Sequence, residues 1–158
     1  MAFGTSSKLF TVFIQDVLNK TSDHLDLNTD TIRIALYGNS GTPDQTDTAA
    51  HNAYNGSGGA WVTANEITAT GWTAGGLALA SVTSSFSSVT YTFDAADKSG
   101  GASDTVTAAY GCLIYDDSAT TPVADQGICY LAFGGSNSVT SGTFTVSFNA
   151  SGIFTIGV

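Results

Sequence analysis

Two stretches of this chain are apolar at nearly every position: Ala-Ala-Tyr-Gly-Cys-Leu-Ile-Tyr at 108–115 and Ile-Cys-Tyr-Leu-Ala-Phe at 128–133. Side chains alternate across a strand, so a strand without a polar parity must be covered on both faces. The residues between, Asp-Asp-Ser-Ala-Thr-Thr-Pro at 116–122, are turn formers. A hairpin of strands 106–116 and 125–133 is therefore predicted at the centre of the fold, with other elements on each side. Folding it between Thr120 and Thr121 sets Cys112 opposite Cys129. A disulfide between directly opposed strand residues is strained, so two buried reduced thiols are expected.

The remaining pattern is mostly strand. In 31–37 Ile32, Ile34 and Leu36 share one face. Segments 61–68 and 77–83 are weaker strands, joined by a turn around Gly71 and Gly75-Gly76. A turn at Ser84-Ser85 leads into 86–94, where Val89, Tyr91 and Phe93 alternate with Ser88, Thr90 and Thr92. Phe144, Val146 and Phe148 alternate in the same way, and a last strand covers 153–158. One helix is predicted over 7–20, where Leu9, Phe10, Phe13, Ile14, Val17 and Leu18 fall on one helical stripe. Residues 38–59 are a polar stretch longer than most connections, which predicts an exposed loop. The expectation is one mainly β domain over 1–158, an antiparallel β-sandwich of jelly-roll-like kind with one N-terminal helix.

Charge narrows the partners. Four basic residues face thirteen acidic ones, for a net charge of −9. Scattered cations cannot neutralise a row of phosphates, so nucleic acid is excluded as a partner. Anionic membrane surfaces are excluded for the same reason, and no apolar run approaches the ~20 residues of a spanning helix. The Gly-, Ser- and Thr-rich composition suits a protein that works outside a cell, yet the N-terminal residues carry no secretory pattern. A virus-particle component, assembled in the host cytoplasm and released by lysis, is expected to combine both properties.

Catalytic and metal signatures are thin. His24 and His51 lie in polar segments far from Cys112 and Cys129, which disfavours a shared zinc site or a Cys–His nucleophile. There is no Gly-x-Ser-x-Gly elbow and no phosphate-loop or dinucleotide fingerprint. Gly58-Gly59 and Gly75-Gly76 lack the following helix that a phosphate cradle requires. Glu66 is the single glutamate, and Asp116-Asp117 occupy a turn. Asp23, Asp26, Asn28 and Asp30, and separately Asp44 and Asp47, concentrate oxygen ligands that suit a hard cation, but at no EF-hand spacing. Solvated turn chemistry accounts for them. The expectation is no enzyme, no cofactor and no metal. Exposed Trp61 or Trp72 would instead point to a carbohydrate-binding sandwich; core packing is the stronger expectation for both.

Three groups of segments together resemble structural proteins of tailed phages and prophages. They are Phe-Ile-Gln-Asp-Val-Leu-Asn-Lys at 13–20 with 29–39 and 42–44, then Tyr-Gly-Cys-Leu-Ile-Tyr-Asp at 110–116 with 122–127 and 130–135, and finally Gly-Thr-Phe-Thr-Val-Ser-Phe at 142–148 with Gly152-Ile153. Within that class the chain is most similar to capsid decoration, or cement, proteins. The resemblance implies a protein that binds the outer capsid lattice, commonly as a trimer at three-fold positions, and that has no catalytic residues. Its implied partners are further copies of itself and the major capsid protein. A small tail or baseplate component is the alternative. Candidate contacts between subunits or with the capsid are Phe3, Leu9, Phe10, Phe13, Val17, Tyr110, Tyr115, Tyr130 and Phe133.

Overall fold

A computed structural model describes residues 3–19 and 26–157. The fold is mainly β and antiparallel. After the short strand β1 (Lys8–Leu9) comes helix α1 (Thr11–Asn19), then β2 (Ile32–Tyr37), a one-turn helix α2 (Ala49–Asn52), β3 (Glu66–Ile67) and β4 (Leu77–Ala78). A hairpin follows, β5 (Thr83–Ser87) and β6 (Thr90–Asp94), and then β7 (Lys98–Ser99). The long pair β8 (Asp104–Asp116) and β9 (Gln126–Gly142) precedes β10 (Thr145–Val146) and β11 (Phe154–Gly157).

As expected, β8 and β9 form the centre. The main sheet runs β1-β9-β8-β2-β3, with β4 also on the outer edge of β2. Residues 111–116 and 126–130 are buried throughout, as two-sided strands must be. One face carries Ile34, Ile114, Cys129 and Leu9 in register; the other carries Ala35, Leu113, Tyr130 and Lys8. The second face is covered by aromatic rings. Trp61 stands edge-on to Tyr37 at 5.0 Å and to Phe3 at 5.9 Å, and lies 5.7 Å from Tyr130. The first face looks toward a three-stranded sheet, β11-β6-β5; Leu9, Cys129 and Leu131 share a cleft with Ile153 and Phe154. A two-stranded ladder of β7 and β10 completes the fold.

Several boundaries differ from the sequence expectation. Leu9 and Phe10 are not helical: Lys8 and Leu9 pair with Tyr130 and Cys129, and Phe10 N–H donates to the Ile128 carbonyl at 3.0 Å. The open edge of β9 takes them, and the helix starts at Thr11; Lys20 lies outside the described residues. The turn expected at Ser84-Ser85 falls instead at Ser88-Val89, where Ser88 adopts φ +55°. Phe86 therefore belongs to β5 and Val89 to the turn. The segment 61–68 is strand only at Glu66–Ile67, because a 3-10 turn at Thr63–Asn65 precedes it, while Trp61 packs on the aromatic face. Cys112 pairs with Leu131, and Cys129 with Ile114. Two single-residue shifts move the register off the symmetric fold: the turn centres on Thr121, with Asp116 opposite Gln126, and an irregularity between the pairs Ile114–Cys129 and Tyr115–Gly127 inserts Ile128.

Candidate docking surface

Polar clusters that could have carried chemistry are engaged within the chain. Gly75 and Gly76 both have positive φ, and their N–H groups converge on the Glu66 carboxylate at 3.0 and 3.1 Å. Such a nest of amides binds anions; here its anion is Glu66. Tyr54 donates to the other Glu66 oxygen at 2.9 Å. Arg33 donates to the Gly75 and Gly76 carbonyls, and Tyr115 to that of Gly75 at 2.6 Å. Burial pushes the Glu66 carboxyl above its ordinary range, opposed by the Tyr54, Gly75 and Gly76 hydrogen bonds and by the Arg33 charge. The constellation fastens the 71–76 turn to β2 and β8.

Other acids do the same. Asp104 is buried and accepts from Gly71 N–H at 2.6 Å and Gly101 N–H at 2.7 Å, joining two loops. Asp26 accepts from Asn28 N–H, and Asp44 from Thr46 N–H and Oγ1. Those hydrogen bonds hold both carboxyls below their usual range. The oxygen-rich segments are thus turn caps, and no group of three or more metal-ligating side chains occurs among the described residues. Asp23 and His24 lie outside them. His51 Nδ1 meets Asp47 Oδ1 at 2.8 Å, while its Nε2 faces Gly58 rather than a hydroxyl.

Trp61 and Trp72 are both buried, so neither offers a ring for sugar stacking. Trp61 donates to Asn52 Oδ1 and Trp72 to the Phe144 carbonyl. Cys112 and Cys129 are free and buried. Burial pushes the Cys112 thiol well above its ordinary value and that of Cys129 up to about 12.

What the fold leaves open is apolar. In the three-stranded sheet Phe86, Tyr91 and Ile156 stand side by side, and Ser84, Phe93 and Phe154 form the adjoining row on the same face. The opposite face is Ser85, Ser87, Thr90, Thr92, Thr155 and Gly157. One-sided patterning of this kind calls for a cover. Phe13 supplies it at one end, with its ring 6.3 Å from that of Phe154. Beyond Phe13 the face opens into a groove of about 500 Å³ between α1 and the sheet, lined by Ile14, Val17, Leu27, Tyr91 and Ile156 among others. Val17, which lines it, is 49% exposed, and among the described residues Leu18 (78%), Phe86 (63%) and Val89 (56%) are also large exposed hydrophobics.

Of the nine contact residues read from the sequence, Val17 alone is exposed. Phe3, Phe10, Phe13, Tyr115 and Tyr130 are buried in the chain's own core, and Leu9, Tyr110 and Phe133 are half-buried against it. Their apolarity is used inside the fold, so the candidate surface contracts to Val17 and shifts to Leu18, Phe86, Val89, Tyr91 and Ile156. The alternation of Val89, Tyr91 and Phe93 with Ser88, Thr90 and Thr92 was the available signal; that no described residue closes over the outer end of this face follows only from the topology. No family model, curated protein or solved structure matches the chain.

Proposed function

We propose that this protein is a structural component of a phage particle, a decoration protein that binds the outer capsid lattice and stabilises the head. Its partners on this reading are the major capsid protein and further copies of itself in a trimer, and its place is the virion exterior, after assembly in the host cytoplasm. The observation that carries the proposal is the apolar face of the β5-β6-β11 sheet, covered at one end by Phe13 and exposed at Phe86. A contiguous exposed apolar patch on a folded domain marks a site of association. The supporting features are a continuous two-sided sheet, loops pinned by Glu66 and Asp104, and the resemblance of the 110–116 and 142–148 segments to phage structural proteins. Co-sedimentation tests it. The protein should pellet with expanded empty heads and not with purified tails; pelleting with tails alone would move it to the tail or baseplate.

A further inference from the structure

We propose that Gln126 is a pH-sensitive latch between the central hairpin and α1. While Asp116 carries a proton, its carboxyl donates to Gln126 Oε1 and the Gln126 amide holds Asp16 of α1. When that proton leaves for solvent, the amide turns round to donate to the Asp116 carboxylate and releases Asp16. The geometry rests on two opposed side chains. Asp116 and Gln126 are direct partners across β8 and β9, and both are fully buried. Such partners have Cβ atoms about 4.5–5.5 Å apart, within reach of a carboxyl and an amide. Gln126 Nε2 donates to Asp16 Oδ2 at 2.6 Å, which fixes the orientation of the amide, because its oxygen in that place would face a carboxylate. Oε1 is then the free end. Neither Oε1 nor Asp116 Oδ2 meets a donor, and neither is open to solvent. Buried polar atoms are rarely left so. One proton on Asp116 Oδ2 turns an acceptor into a donor and satisfies both oxygens at once.

The surroundings favour the proton. Asp30, ahead of β2, brings a like charge to Asp116, and the Ser118 and Ala119 N–H groups donate to it from the turn that follows. Asp16 approaches Gln126 from α1. β2 sets Ile32 opposite Asp116, while its neighbour Arg33 points to the other face and is held by Asp117 and by the Gly75 and Gly76 carbonyls. No described cation pairs with Asp116. Burial, opposed by the Ser118 N–H and reinforced by Asp30, raises its pKa to about 7, so the latch is closed below that pH and open above it. Opening loosens one part of α1. At the start of the helix Thr11 N–H and Oγ1 donate to the Gln45 carbonyl, a tie that does not titrate. Asp16 lies in the second turn, and Phe13 between them covers one end of the β5-β6-β11 face. Release of Asp16 lets Phe13 lift and bares more of that face.

Nuclear magnetic resonance on isotope-labelled protein tests the latch. The Asp116 carboxyl and the Gln126 side-chain amide should titrate together, with a shared midpoint of about 7. The through-space signal between the Phe13 and Phe154 rings should weaken several-fold between pH ~6 and ~8, on either side of that midpoint. Asp116→Asn keeps a donor facing Oε1 at every pH, so it should hold the ring signal, and the Gln126 amide, constant over the same range. A Gln126 amide that ignores the Asp116 titration would place the proton on the Asp30 side and overturn the inference. A ring signal that does not change in the wild type, or one that fades in Asp116→Asn as it does in the wild type, would overturn it too.

Discussion

Asp116 and Gln126 face each other directly across β8 and β9, both fully buried, and each keeps one oxygen without a hydrogen-bond partner. Gln126 spends its amide on Asp16 of α1, donating to Oδ2 at 2.6 Å. Asp116 accepts from Ser118 N–H at 2.8 Å, and the Asp30 carboxylate stands near it as a like charge. Burial first, and Asp30 beside it, raise the Asp116 pKa to about 7. The native state therefore holds a proton between pH ~4 and ~7 that the unfolded chain has released. Stability falls as pH rises through that window, and the full penalty applies above it. Asp116→Asn should reduce this slope and stabilise the protein at pH ~8 by about 1–3 kcal/mol. Urea denaturation at pH ~5 and ~8 measures it; an unchanged slope contradicts a protonated Asp116.

Glu66 should be a structural acid. Removing its carboxylate strands the Gly75 and Gly76 amides and the Tyr54 hydroxyl. Glu66→Ala is expected to cost about 2–3 kcal/mol and Glu66→Gln less, since an amide oxygen can still accept from the glycine pair. Equilibrium unfolding of the three proteins gives the ranking.

The same turn makes a sharp glycine prediction. A Cβ on Gly76, at φ +64°, would sit 2.1 Å from the Ile34 carbonyl oxygen. Gly134 also has positive φ, but nothing lies within 4 Å of its would-be Cβ. Gly76→Ala should cost about 3 kcal/mol or more, and Gly134→Ala only about 1–2 kcal/mol from its backbone conformation. Equal effects would mean that the 71–76 turn is not packed on β2.

Neither thiol should react in the folded protein. Cys112 and Cys129 share a face of the central hairpin two positions out of register, buried and with raised pKa values. A chromogenic disulfide reagent should titrate no thiol in buffer and two in denaturant, and reductant should not move the melting midpoint.

The cysteine register shows where sequence reading stops. Two-sided apolar runs locate β8 and β9 because burial on both faces leaves no polar parity to hide, and Ile32, Ile34 and Leu36 place β2 for a related reason. The turn centred on Thr121 and the inserted Ile128 each leave no trace in composition, so the pairing of Cys112 shifts by two positions to Leu131 unannounced. The polar continuation of β9 to Gly142 is equally silent, since it carries no apolar alternation and is held by backbone pairing and by contacts such as Ala108 N–H to Ser138 Oγ at 2.9 Å. Leu9 fits a helical stripe, yet the exposed edge of β9 outcompetes a single added helical turn. The groove was out of reach for another reason: Val17, Leu27, Tyr91 and Ile156 come from four separate segments.

Imaging is the most direct test of the central claim. Expanded heads that lack this protein should be compared by electron microscopy with the same heads after its addition. The account predicts added density on the outer surface at three-fold positions, with the β5-β6-β11 sheet inside the contacts. Density confined to the tail, or heads unchanged at saturating protein, would contradict it.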